Sequence, residues 1–416
     1  MRLTIHLAAR RAPSLLLFAL LAAGCSLVGH RESVRVDLEG ARAGHWRLNR
    51  CAEVANTACT RDSDCPWGAC VSVLPTDAGA FGRDGGHTLA VGERALWQFG
   101  DSFTEAGMLS STAGWSDTHD PLSMRDATGA DGLPVAFLPF TADEQQFNAT
   151  HATPPACCSE NSRCPQGKPY CNCPAATVCT QRMALWPGDG IETGDGVATI
   201  YYDRQLAGVA PYDFADAGIG VATVRRDAAS AERRLDANGD PVWLFAAGEP
   251  HFARGLRVDG PAGAFFYLYA NTNRFTCAVD VLLARVPVAH MAERAQYRFW
   301  DGAGWSADLA AAVPVATGIT AGLGSVAWNQ HLGAYLSVWS DICTGGDKLA
   351  LRTASAPQGP WSDATLVDLA PLGAGPAAYY GMQHPEFGRG AELLVSYFQP
   401  VGVVDGQMRL LRLTLP

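Results

Sequence analysis

Two aspartates bracket one short turn in this chain. Asp84 stands in "FGRDGGH", and Asp101 closes the strand-like run "ALWQFGD". Between them "HTLAV" (87–91) and "ALWQFG" (95–100) flank "GER" (92–94), which reads as a hairpin turn. With Gly92-Glu93 as a two-residue loop, Val91 pairs with Arg94, paired positions sum to 185, and Asp84 falls opposite Asp101. Residues directly opposite on an antiparallel pair have Cβ atoms roughly 4.5–5.5 Å apart. Two carboxyl groups about 5 Å apart suit double displacement at a glycosidic bond, one as nucleophile and one as acid/base; roughly 6.5–9.5 Å suits inversion by water. Such neighbours also push one pKa upward, so that one group keeps its proton near neutral pH. An Asp after a strand most often only caps a turn. Here two converge in Gly-rich sequence, where Gly82, Gly85 and Gly86 allow close approach. The pairing depends on register, since a slip of one residue would spoil it, and it leaves open which aspartate is the acid.

The elements that must position this pair are strands. Long helical periodicity is missing, and β-rich runs recur between Gly, Pro, Asn and Asp. One type ends in a polar residue: "LWQFGD" (96–101), "TIYYDR" (199–204), "FYLYAN" (266–271), "YLSVWSD" (335–341) and "LLVSYFQ" (393–399). A second type follows: "VATVRR" (221–226), "VLLARVP" (281–287), "KLALRTAS" (348–355) and "MRLLRLTL" (408–415). Several strands in each roughly 60–70 residues is the sequence signature of a propeller blade, and five such units fit the C-terminal part of the chain. The expected fold is all-β, a five-bladed β-propeller over residues 76–416.

The 416 residues carry a net charge of −10, which disfavours nucleic acid and anionic membrane surfaces as partners. The start reads as a targeting segment: Arg2, Arg10 and Arg11 precede an apolar run from Leu15 to Ala23, too short for a permanent span. Its ending "LLAAGC" resembles the lipobox of bacterial lipoproteins, although Ala22 stands where that motif most often has Leu. The resemblance implies lipidation at Cys25, a signal over residues 1–25, a tether over 26–50 and, with Ser26 following, outer-membrane retention. Twelve further cysteines in an exported chain read as disulfides rather than zinc ligands. Cys51, Cys59, Cys65 and Cys70 form one cluster (segment 51–75); Cys157, Cys158, Cys164, Cys171, Cys173 and Cys179 form another (insert 150–180). Cys277 and Cys343 remain as a long-range pair. Both clusters resemble the small cysteine-rich inserts of lipoproteins from myxobacteria-like organisms.

The stretches "GRDGGHTLAV…LWQFGDSFT", "LWPGDG", "LLARVPVAHM…YRFWDGAGWS", "ASAPQGPWSD" and "MQHPEFG…ELLVSYFQP" resemble a bacterial family of secreted five-bladed propellers. That family, long described only as a domain of unknown function related to glycoside hydrolases, includes endo-D-arabinanases. The resemblance covers most of residues 80–416 and implies a carbohydrate-active protein, its catalytic aspartates in the motifs of Asp84 and Asp101. A non-catalytic carbohydrate-binding or adhesion propeller would share the fold and the aromatic platforms without needing the acid pair.

Other residues fall near strand ends on the same rim and are candidates for binding sugar hydroxyls: His87, Glu249, His251, Asn271, Asp341, His384 and Glu386. Trp186 in "LWPGDG" offers a face for a sugar ring, while Trp300, Trp305 and Trp361 recur in turns and read as structural. No Gly-x-Ser-x-Gly elbow, P-loop or His-Glu-x-x-His motif occurs. "DANGDP" (236–241) lacks the twelve-residue calcium pattern, so neither a cofactor nor a metal is indicated. Taken with the resemblances, the sequence implies a monomeric surface lipoprotein that binds polysaccharide and cleaves it within the chain.

Overall fold

The structure, a computed structural model, describes residues 36–47, 50–51, 58–60, 62–66, 70–105, 107–151, 180–208, 214–272, 277–320, 322–375, 377–402 and 405–416. Five antiparallel sheets make up the molecule. Blade 1 runs outward through Ala80–Val91, Arg94–Thr104, Thr112–Asp117 and Asp120–Asp126. Blade 2 consists of Thr180–Gly194, Val197–Gly208, Phe214–Arg225 and Glu232–Arg233. Blade 3 has Arg254–Gly260, Gly263–Thr272, Val279–Pro287 and Arg298–Trp300. Blade 4 has Ser325–Asn329, Ala334–Ser340, Lys348–Ala354 and Thr365–Asp368.

Blade 5 takes three strands from the end of the chain, Tyr379–Arg389, Glu392–Pro400 and Gly406–Thr414. Its outer edge comes from the beginning: Arg42–His45 and Cys70–Val73 both pair with Gly406–Thr414. The segment read as a tether and the first Cys-rich segment thus each supply a strand that closes the ring. The inner strands of the five blades neighbour one another in cyclic order, blade 5 returning to blade 1.

This arrangement explains the apolar runs. A blade packs face to face with its neighbours, so its middle strands are covered on both sides and lose the half-buried alternation. Glu392–Pro400 is buried at seven successive positions. The five large apolar clusters coincide with the five interblade seams. Leu96, Ile200 and Tyr202 join blades 1 and 2; Tyr201, Leu268 and Ala284 join 2 and 3; Tyr269, Leu283 and Val326 join 3 and 4. Leu336, Leu351 and Val395 join 4 and 5, and Trp97, Leu394 and Leu410 close 5 onto 1. The all-β five-bladed propeller expected from the strand recurrence is the observed fold.

The first cysteine cluster forms two interleaved bridges, Cys51–Cys65 and Cys59–Cys70, and Cys277 pairs with Cys343 across blades 3 and 4. The second cluster, Cys25 and residues 1–35 lie outside the described residues. A short helix, Ala142–His151, precedes blade 2. Among the described residues no helix is long and apolar enough to cross a membrane.

Candidate active site

The hairpin that carries both aspartates keeps the expected register at its turn end, from Val91↔Arg94 to His87↔Gln98, and regains it at Arg83↔Ser102 and Gly82↔Phe103. Between these stretches lie two irregularities that cancel, one beside Gly86 and one beside Gly100-Asp101. Asp84 and Asp101 therefore meet in a bulged gap of the ladder rather than as a regular cross-strand pair. Bulges of this kind re-aim side chains and occur next to active sites. Gly85 (φ 89°) and Gly86 (φ 94°) supply the left-handed backbone. At Gly100 a Cβ would stand 2.5 Å from Asp84 Oδ1, so only glycine lets the carboxyl lie against the second strand.

The two carboxyls have unlike surroundings. Asp84 is pushed up to about 7 by burial and by the Asp101 charge, against the opposing pull of the Tyr379 hydroxyl, Arg182 and the Asp101 backbone N–H. Tyr379 donates to Asp84 Oδ2 at 2.9 Å. Asp101 accepts from Trp186 Nε1 at 2.9 Å and is ion-paired with Arg182, both on the inner strand of blade 2. Arg182 and Trp186 are four residues apart on a strand of period two, so they share one face. Asp84, its pKa raised, thus lies beside an acid that is paired with a guanidinium, and two acids in such unlike surroundings can divide proton donation from proton acceptance.

A second polar group adjoins the first. Tyr380 Oη accepts from Arg254 Nη2 at 2.9 Å and lies 2.9 Å from His87 Nε2, whose Nδ1 is 2.5 Å from Asp189 Oδ1. Asp189 Oδ2 also takes the Gly255 N–H at 2.8 Å. The Arg254 guanidinium lies over the rings of Trp339 and Tyr380, 4.5 and 4.9 Å from their centroids. Its Nη1 is buried and has no hydrogen-bond partner among the described residues. Burial acts against the Arg254 charge, and Tyr380 with Asp189 more than offsets it, so its pKa is raised. His251 sits between Asp203 (3.4 Å) and Asp216 (3.0 Å).

Of the residues singled out from the sequence, Asp84, Asp101, Trp186 and His87 come together, with His251 in the neighbouring carboxylate cluster. Glu386 lies further along the channel, bonded to Thr88 at 3.0 Å; burial pushes its pKa up. It lines a cavity of about 170 Å³ with Asp189, Arg257, Ser325 and Gln383. The others are bonded away from the aspartate pair. His384 is 1% exposed, bonds Thr88 and Ser396, and is driven down to about 3 by burial and His87, so it stays neutral. Asn271 clips blade 3 to the backbone of Leu323. Asp341 caps its own turn at Cys343, and Glu249 caps Ala246 and pairs with Arg294. Sequence reasoning missed Arg182, Asp189, Arg254, Tyr379 and Tyr380. Asp189 stands in the quoted "LWPGDG", and Arg182, four residues before Trp186, falls on the same face of its strand.

Residues 229–404 match the family described as Domain of unknown function (DUF4185). The matched span reaches from the outer edge of blade 2 into blade 5 and leaves the aspartate hairpin outside it. No curated protein matches the chain. Similar solved structures include a Bacteroides ovatus protein (13% identical, covering 80% of this chain and 87% of the other, TM-score 0.48). Others are a GH43_1 enzyme from Xanthomonas citri (13%, 82% and 90%, TM-score 0.44) and a family 117 glycoside hydrolase from Zobellia galactanivorans (10%, 90% and 90%, TM-score 0.42).

Proposed function

We propose that this protein is a glycoside hydrolase that cleaves a polysaccharide at the mouth of the propeller. Asp84 is the general acid, and Asp101, held by Arg182, is its partner, as nucleophile or as base toward water. The observation that carries this reading is the pair of carboxyls from one bulged hairpin in unlike environments, one pushed up to about 7 and one paired with Arg182. Glycosidic cleavage needs that division: a proton for the leaving oxygen and a negative charge across the ring. The resemblance of the hairpin motifs favours a furanose polysaccharide such as D-arabinan, cut within the chain. Trp186 and Arg254 are its binding groups, and Cys25 carries the lipid that keeps the enzyme at the outer membrane.

The test is sugar release from a panel of polysaccharides, D-arabinan included, by the chain lacking residues 1–25, beside Asp84→Asn and Asp101→Asn. The parent is expected to cleave one substrate, and each variant to lose on the order of 100-fold or more in kcat while its fold is unchanged. With Asp84 as acid, activity declines as pH rises through about 7, because the proton it donates is lost. A glycan retained equally by all three proteins and cut by none would establish a binding propeller instead.

A further inference from the structure

Tyr379 and Tyr380 are consecutive residues, and consecutive residues of a regular strand point to opposite faces. Here both phenols reach the same mouth, Tyr379 to Asp84 and Tyr380 to Arg254 and His87. The backbone makes this possible. Tyr380 has φ 62° and Ala377 φ 68°, and the register breaks between Tyr379 and Met382. A non-glycine residue in the left-handed region persists only where its surroundings hold it there.

Blade 4 does the holding. Ala377 N–H donates to Gly345 O at 3.0 Å, and Gly381 N–H donates to Ser340 Oγ at 2.6 Å. Gly346 lies so close beneath the segment that a Cβ there would stand 2.0 Å from Ala378 O. Trp339 packs edge-on against Tyr380, with centroids 5.3 Å apart. The loop that carries Gly345 and Gly346 is itself fixed at two points. Asp341 accepts the Cys343 N–H through Oδ1 (3.0 Å) and the Gly346 N–H through its carbonyl (3.2 Å). Cys343 is bonded covalently to Cys277 of blade 3.

We infer that the Cys277–Cys343 bridge, the 341–346 loop and the Ala377–Tyr380 segment, left-handed at its two ends, form one positioning apparatus. In it Tyr379 is a positioning residue for Asp84, and Tyr380 one for Arg254 and His87. The inference rests on the reading of Asp84 as the proton-bearing group of the site. Asp84 faces Asp101 from its own hairpin, Arg182 from blade 2, and Tyr379 and Tyr380 from blade 5. Loss of the Tyr379 hydroxyl removes one stabiliser of the carboxylate and leaves the Asp101 repulsion in place. Loss of the bridge frees the loop, and through it the tyrosines.

The experiment follows the Asp84 carboxyl by carbon-13 NMR in the full chain, its resonance assigned by its disappearance in Asp84→Asn. Parent, Tyr379→Phe and Cys277→Ser/Cys343→Ser are titrated side by side. The Asp84 midpoint is expected to rise by about one unit in Tyr379→Phe and by less, in the same direction, in the double serine variant. Phenylalanine keeps the ring, so the Tyr379→Phe protein should melt within a few degrees of the parent, roughly what loss of one hydrogen bond implies. An unchanged midpoint in Tyr379→Phe overturns the role of Tyr379. A double serine variant with lowered stability and an unshifted midpoint makes the bridge a simple staple and overturns the coupling. Because the readout needs no substrate, an expected shift in a protein that cuts no glycan would sink the hydrolase reading and leave this one standing.

Discussion

Asp84 bears on stability as well as on chemistry, and the two roles pull against each other. Its folded-state pKa, about 7, lies above the ordinary 3.8. Between those values the native protein binds a proton that the unfolded chain has released, so stability falls as pH rises through the window. Above about 7 the full penalty of a buried charge beside Asp101 is present; below 3.8 both states are protonated and it vanishes. Asp84→Asn removes the penalty. At about pH 8 it should raise the unfolding free energy by roughly 1–3 kcal/mol, and the gain should fade toward about pH 4. Urea titrations at the two pH values read this directly. An equal effect at both would mean that Asp84 is not perturbed. A stabilising substitution that abolishes activity is the expected trade at a site built for function.

The hairpin turn and the second and third strands of the blades are the elements most legible in the sequence. "TIYYD", "LLARVP" and "LLVSYF" are apolar because blade stacking covers both faces, and their recurrence set the blade count. Inner strands such as "RGLRVDG" (254–260) and "SVAWN" (325–329) border the channel, are short or polar, and look like loops. The helix at Ala142–His151 is also weakly marked in the sequence. Its capping box, Thr141 with Glu144, is visible in "TADE", but its apolar face is weak and Glu144 is spent on Arg233. Asp84 and Asp101 could be paired from the sequence because one turn joins them. Tyr379, Arg254 and Asp189 could not, since other blades bring them in and a left-handed Tyr380 leaves no local signature. The bulge beside Gly100 is likewise invisible to alternation, yet it sets the geometry. Gly100→Ala would drive a Cβ into Asp84 Oδ1, whereas Gly194, with nothing within 4 Å, is a matched control. Displacement of a reacting group by about 1 Å can remove on the order of 100-fold in rate. Gly100→Ala should therefore lose about 10-fold or more in kcat, and Gly194→Ala should stay near the parent; equal activities would show that the bulge does not position Asp84.

At the scale of the molecule, the ring holds the site together, and the N-terminal strands hold the ring. Asp84 belongs to blade 1 and its tyrosine partner to blade 5, so the closing seam runs through the site itself. That seam is secured from outside. Val73 and Ser72 pair with Arg409 and Leu410, Leu74 N–H donates to Met408 O at 2.8 Å, and Arg83 holds Pro75 O at 2.7 Å. Val71 and Leu74, with Leu38 on the neighbouring seam between blades 4 and 5, are 2–3% exposed. Fully burying three such side chains is worth roughly 5–9 kcal/mol, comparable with the whole stability of an ordinary domain, about 5–15 kcal/mol. A chain that begins at residue 76 is therefore expected to lose cooperative unfolding, while one that begins at residue 36 keeps it. Calorimetry of the two truncations decides the matter, and a residue-76 chain melting with the parent would show that blade 5 closes without its outer edge. If the ring does open, the seam between blades 5 and 1 parts first. The Tyr379–Asp84 hydrogen bond should then be lost at lower denaturant than the core of blade 3, because it spans the seam at which the first and last blades of the chain meet to close the ring.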